Sequence, residues 1–185
     1  MTTQDNTPIQ TPDFNFDKNI ALIGMPGTFK STVGKLLAKK IGFAFCDTDK
    51  MVEEKCGMSI PDTFNQLGEE VFRERETIIA YDAAQLKRTV IATGGGIVTR
   101  KENIDALKQS CCVIQLCAHV YTIFARIRNS KARPLLQDLT IEKLSAMYKA
   151  RGHLYAEAAD FKVITDGKMP KQIADFIIKK LSPNT

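Results

Sequence analysis

Gly24 to Thr32 reads GMPGTFKST, set between the apolar run Ile20-Ala21-Leu22-Ile23 and the helical pattern VGKLLAKKIG. A glycine-rich turn leading from a strand into a helix leaves backbone N–H groups at the helix start without intrahelical partners, and these favour negative charge. Lys30 adds a mobile cation for outer phosphates, and the Ser31 hydroxyl suits Mg²⁺. Gly27, Thr28, Phe29, Lys30, Ser31 and Thr32 are therefore the expected phosphate-contacting positions. One residue departs from the pattern G-x-x-x-x-G-K-[ST]: Phe29 stands where glycine is expected. Glycine takes positive φ freely and lets a phosphate approach the backbone, whereas a bulky residue in left-handed geometry costs about 1–2 kcal/mol. Two outcomes stay open: a ring turned outward, or weakened nucleotide binding. Replacing Phe29 with glycine is expected to tighten ATP binding.

Asp47-Thr48-Asp49 follows a short apolar run. On an extended segment two carboxylates two residues apart point the same way, one toward a hydrated metal and the other toward a substrate hydroxyl. A solvated turn explains the same residues equally well. Arg73 lies in EEVFRERE, a run that also suits a salt-bridged helix face. Arg133 precedes Pro134-Leu135-Leu136 in a basic stretch with Arg126, Arg128 and Lys131, the composition of a lid over transferring phosphates. Arg151 is followed by Tyr155, and the arginine fork matches a carboxylate in two parallel hydrogen bonds. Gly94-Gly95-Gly96 after an apolar strand lets a ligand approach the backbone. His119 and His153 have no evident partner and are read as structural or surface residues.

These residues need a scaffold, and the chain spells one. Strand patterns at 20–23, 43–46, 89–92, 111–117 and 161–165 alternate with helical ones at 31–41, 50–55, 59–67, 68–86, 101–108, 120–127, 140–158 and 170–181. Apolar strands separated by helices imply an α/β fold with a parallel sheet covered on both faces. Such sheets bind ligands beyond the carboxyl ends of their strands, where the Gly24 loop, the aspartates and the triple glycine all fall. Residues 1–18 read as a polar, poorly ordered tail that Phe14 and Phe16 pin to the body; 19–181 read as one domain, and 182–185 as a short tail. Five cysteines without a secretory leader fit free thiols in a reducing cytoplasm, packed as small hydrophobes on strands. Cys112, Cys117 and His119 match no common zinc spacing. A net charge of +5 without a dense basic block speaks for polyanionic small molecules rather than nucleic acid, and no stretch has the length of a membrane span.

Taken together, GMPGTFKST, Asp47-Thr48-Asp49, Phe72-Arg73-Glu74, Thr93-Gly94-Gly95-Gly96, Arg133-Pro134-Leu135-Leu136 and Arg151 with Tyr155 resemble the shikimate kinase family from about Asn19 to Leu181. The resemblance implies a three-layer P-loop fold related to the nucleoside monophosphate kinases, with a five-stranded parallel sheet. It also implies a substrate-binding segment at about 48–86 and a mobile lid at about 126–139. Its activity would be ATP-dependent phosphorylation of the 3-hydroxyl of shikimate in chorismate and aromatic amino acid biosynthesis, in a cytoplasmic monomer. By the resemblance, Lys30 contacts phosphates, and Ser31 and Asp47 serve Mg²⁺. Asp49 accepts the hydroxyl proton, and Arg73 and Arg151 grip the carboxylate beside Gly94, Gly95 and Gly96. Arg133 closes on the phosphates, and Arg126 stacks on adenine. Phe29 is the departure from the family pattern. It keeps open a catalytically weakened shikimate-binding protein, and related kinases of gluconate or nucleoside monophosphates are further alternatives.

Overall fold

The computed structural model describes residues 14–128 and 139–182; Arg133 and most of the expected lid lie outside them. Five strands, β1 (Asn19–Ile23), β2 (Ala44–Asp47), β3 (Thr89–Ala92), β4 (Cys111–Cys117) and β5 (Phe161–Ile164), form one sheet in the order β2-β3-β1-β4-β5. Every pairing is parallel, with Ile20 opposite both Val90 and Cys112. β1 and β3 are buried along their whole length, which is why they read as unbroken apolar runs.

Among the described residues, seven helices close the layers: α1 (Lys30–Ile41), α2 (Thr48–Cys56), α3 (Ile60–Ala84), α4 (Lys101–Ser110), α5 (Val120–Arg128), α6 (Ile141–Ala158) and α7 (Pro170–Leu181). On one face, Val33, Leu37 and Ile41 of α1 and Ile173 and Ile177 of α7 pack against Ile20, Leu22, Ile114 and Leu116. On the other, Ala80 and Ala83 of α3, Ile104 and Leu107 of α4, and Leu144 and Tyr155 of α6 cover Ala21, Ile91 and Val113. Each fully buried leucine or isoleucine contributes about 1.5–3 kcal/mol. Phe14 and Phe16 do pin the chain before β1: Phe14 is buried and meets Phe43 edge-on, with ring centroids 6.1 Å apart.

Two differences from the sequence reading bear on the site. The helices expected at 59–67 and 68–86 are one element, bent at Gly68, whose φ of 84° and ψ of 167° leave the helical region. The helix expected to begin at residue 50 begins at Thr48, immediately after β2, because the Asp47 side chain accepts from the Asp49 N–H and caps it.

Candidate active site

The five carboxyl strand ends face the same way, so the loops after them share one edge of the sheet. The loop after β1 is fixed by close approach. A Cβ at Gly24, where φ is +144°, would lie 2.2 Å from the Leu116 carbonyl oxygen, so a side chain there would collide with β4 backbone. The buried Thr28 hydroxyl donates to the Met25 carbonyl at 2.8 Å. Lys30 folds back into the loop, and its ammonium donates to the Gly24 and Met25 carbonyls at 2.8 and 3.0 Å. Thr32 is exposed in the first turn of α1.

Phe29 sits in the left-handed region with φ 72° and ψ 17° and opens α1 without a side-chain cap. Its ring is turned aside, onto the apolar layer that α1 and α7 share. The Arg126 guanidinium carbon lies 3.9 Å from the ring centroid. The outward-turned ring that the sequence left open is not found, because the ring is half-buried between that layer and Arg126. Arg126 also donates to the Gly27 carbonyl at 3.3 Å, the Thr165 hydroxyl at 2.9 Å and the Thr165 carbonyl at 2.8 Å.

The Ser31 hydroxyl donates to Asp47 Oδ2 at 2.6 Å, so two expected Mg²⁺ residues from separate elements meet. Among the described residues no three His, Cys, Asp or Glu side chains gather into a metal cage. Mg²⁺ does not need one: it keeps several waters and takes one or two carboxylates together with substrate phosphates, and the Ser31–Asp47 pair beside a phosphate loop fits that habit. The extended arrangement expected for the two aspartates is not found. Asp47 is the cap and Asp49 lies in the first turn of α2, so their carboxylates serve different neighbours.

Asp49 turns toward the triple glycine. A Cβ at Gly94 would lie 2.4 Å from Asp49 Oδ1 and 2.9 Å from Glu76 Oε1, and one at Gly96 would lie 2.0 Å from an Arg73 guanidinium nitrogen. The glycines thus admit the side chains of the site to the backbone. The Gly94 N–H donates to the buried Thr48 hydroxyl at 2.9 Å, which ties this loop to α2. The Gly95 carbonyl accepts from Arg151 at 3.3 Å and from the Tyr155 hydroxyl. Burial pushes the Tyr155 phenol up to about 12, so it stays a donor. The same cause raises the Cys46 thiol to about 12 and Cys112 to about 11, which keeps both protonated and unreactive.

Arg73 donates to Glu76 at 2.8 Å and to Glu69 at 3.0 Å, as the salt-bridged helix reading expects, and its guanidinium lies against the loop after β3. The Glu76 side chain is only 2 % exposed. Burial raises its carboxyl above the ordinary range, although Arg73, Arg151 and Arg100 each pull it down. Burial lowers the Arg73 pKa, but Glu76 and Glu69 more than offset that, so the net shift is upward and the cation is secure. Glu76 Oε1 is buried and meets no hydrogen-bond donor among the described residues. Sequence reasoning passed over Glu76 and Thr48. The signal for Glu76 was its place three residues after Arg73 and four after the apolar Phe72, which turns it inward.

A phosphate loop on β1, a carboxylate pair after β2 and arginines around the loop after β3 define a small P-loop kinase. Residues 26–182 match the family model described as shikimate kinase. The chain is 43% identical over 164 residues to the shikimate kinase of Thermodesulfovibrio yellowstonii, covering 88% of this chain and 94% of that one. Its fold superposes with a TM-score of 0.85 on shikimate kinase from Acinetobacter baumannii in complex with shikimate, at 37% identity and over 91% and 94% of the two chains. A deoxyadenosine kinase from M. mycoides with bound dCTP, at 22% identity and a TM-score of 0.59, shares the fold. The chain belongs to the shikimate kinase family.

Proposed function

We propose that this chain transfers the γ-phosphoryl group of ATP to the 3-hydroxyl of shikimate, in the cytoplasm, as a step toward chorismate and the aromatic amino acids. The observation that carries the reading is continuity: Ser31 bonds to Asp47, Asp47 caps the helix holding Asp49, and Asp49 abuts Gly94 beside Glu76. One unbroken row of groups thereby joins a phosphate nest to a guanidinium pocket.

In this reading the N–H groups from Gly27 to Thr32 and the Lys30 ammonium hold the phosphates, Lys30 exchanging its loop carbonyls for phosphate oxygens. Arg73 and Arg151 grip the carboxylate of the acceptor. Asp49 takes the proton of the 3-hydroxyl as its oxygen bonds to the γ-phosphorus; the bond from that phosphorus to the bridging oxygen breaks, and ADP leaves. Mg²⁺ held by Ser31 and Asp47 would neutralise charge on the phosphate oxygens. Arg133 would close over the phosphates from the lid. Positioning and electrostatic stabilisation supply most of the rate in such transfers.

A coupled assay of ADP release tests the reading. Release is expected only with shikimate present, and Lys30→Ala should lower kcat by about a hundredfold or more. Phe29 alone favours a second reading, a protein that binds shikimate but turns ATP over poorly. Calorimetric shikimate binding without ADP release would establish the second and refute the first.

A further inference from the structure

The phosphate loop stands on the central strand, with the acceptor groups of β2 and β3 on one side of it and the loops after β4 and β5 on the other. A γ-phosphate that faces the acceptor therefore leaves the nucleoside trailing toward β4 and β5. The groups met there are the stacked pair Phe29 and Arg126, together with Thr165. Arg126 is committed along its plane: its N–H groups donate to Gly27 and Thr165 carbonyls and to the Thr165 hydroxyl. One of its faces lies over Phe29, and Arg126 is only half-buried. What it can offer a base is its remaining face.

We propose that Phe29 is a positioning residue for the nucleobase. It backs Arg126 from beneath, so that the base, the guanidinium and the phenyl ring form three layers. A platform that works by stacking reads no hydrogen-bonding edge, and every base has a π-face. This chain therefore accepts ATP and GTP with little discrimination. The strained left-handed backbone at Phe29 is retained because the ring has this task, so removing the ring in Phe29→Gly should weaken nucleotide binding, the reverse of what the loop pattern alone leads one to expect. The inference rests on the kinase reading for the direction of the nucleotide, but its test does not need turnover.

Calorimetric titration of the whole protein with ATP, GTP and inorganic tripolyphosphate, in the presence of Mg²⁺, reads the platform directly. The wild-type Kd values for ATP and GTP should agree within about threefold, and Phe29→Leu, which keeps bulk and the backbone strain but removes the π-face, should weaken both by about tenfold. Tripolyphosphate, which has no base, should bind both proteins alike. Phe29→Tyr should retain wild-type affinity for all three. The proposal is overturned by a preference for ATP over GTP of about a hundredfold in the wild type. It is also overturned if tripolyphosphate loses as much affinity as ATP in Phe29→Leu, since the residue would then act only through the shape of the phosphate loop. If nucleotides bind as expected and shikimate is not phosphorylated, the kinase reading falls and the platform stands.

Discussion

Arg73 carries the heaviest demand on any single side chain of the site. In the proposed reading it must stay charged, stay oriented and still leave donors for an incoming carboxylate. Glu76 and Glu69 hold it from its own helix, and Gly96 lets the guanidinium lie against the backbone. A charge-assisted hydrogen bond is worth about 1.5–3 kcal/mol, so Arg73→Ala should raise the shikimate KM by about ten- to a hundredfold and leave the ATP KM within about twofold. Gly96→Ala makes the same point without touching the arginine. Its Cβ would lie 2.0 Å from the guanidinium, so the side chain must swing aside; steady-state kinetics should show a raised shikimate KM with an unaltered unfolding midpoint. Equal losses in both substrates would show that Arg73 supports the fold rather than the acceptor. Removing Glu76 is a different experiment. Glu76→Ala leaves a cation with a side chain 12 % exposed short of its most buried partner, and breaking a buried pair costs about 3–5 kcal/mol; Glu69 keeps the loss near the lower figure, measurable by urea unfolding.

Among the elements, α5 is held from outside itself. The Asp166 carboxylate, on the loop after β5, accepts from the His119 N–H at 3.0 Å and from the Thr122 hydroxyl at 2.6 Å. It caps the helix that carries Arg126. The hydrogen bond from Thr122 lowers the Asp166 pKa, with the His119 N–H adding to it. A depressed carboxylate contributes stability above its unfolded value, about 3.9, and loses it as pH falls through the folded value. Asp166→Ala should therefore cost about 1 kcal/mol at pH 7 and much less near pH 3, checked by urea unfolding at both. The elements themselves were legible in the chain because each buried strand is a short apolar run and each helix repeats at helical spacing. β3, β4 and α7 have helix and strand ends close to those read from the sequence, whereas the 3₁₀ turn at Ile97–Thr99 went unread. The misread elements have local causes. Asp47 caps α2 through one hydrogen bond, which the string Asp-Thr-Asp leaves undecided between cap, turn and strand. Gly68 bends α3 without ending it. Glu76 was hidden in a charged run whose inward face only tertiary packing reveals, and nothing in the chain announced that Phe29 would lie under Arg126.

For the whole molecule, the sheet is the device that makes one site out of distant residues. Its order puts β1 between the strands proposed to serve the acceptor and those proposed to serve the nucleoside, so the phosphate loop lies between them. Two substrates bound side by side on one scaffold should each stabilise it. A ligand at a hundred times its Kd adds about 2.7 kcal/mol, so saturating shikimate should raise the thermal midpoint of the wild type by several degrees and that of Arg73→Ala by much less. Among the described residues no helix is long and apolar enough to cross a membrane. The claim beneath all of this is that the nest and the guanidinium pocket face one reacting oxygen. Phosphorus NMR of the protein mixed with ATP, Mg²⁺ and shikimate tests it most directly. The account predicts one new phosphomonoester resonance coupled to the proton on carbon 3 of shikimate, growing in step with ADP. ADP and inorganic phosphate appearing without that ester, or an ester on another hydroxyl, would contradict it.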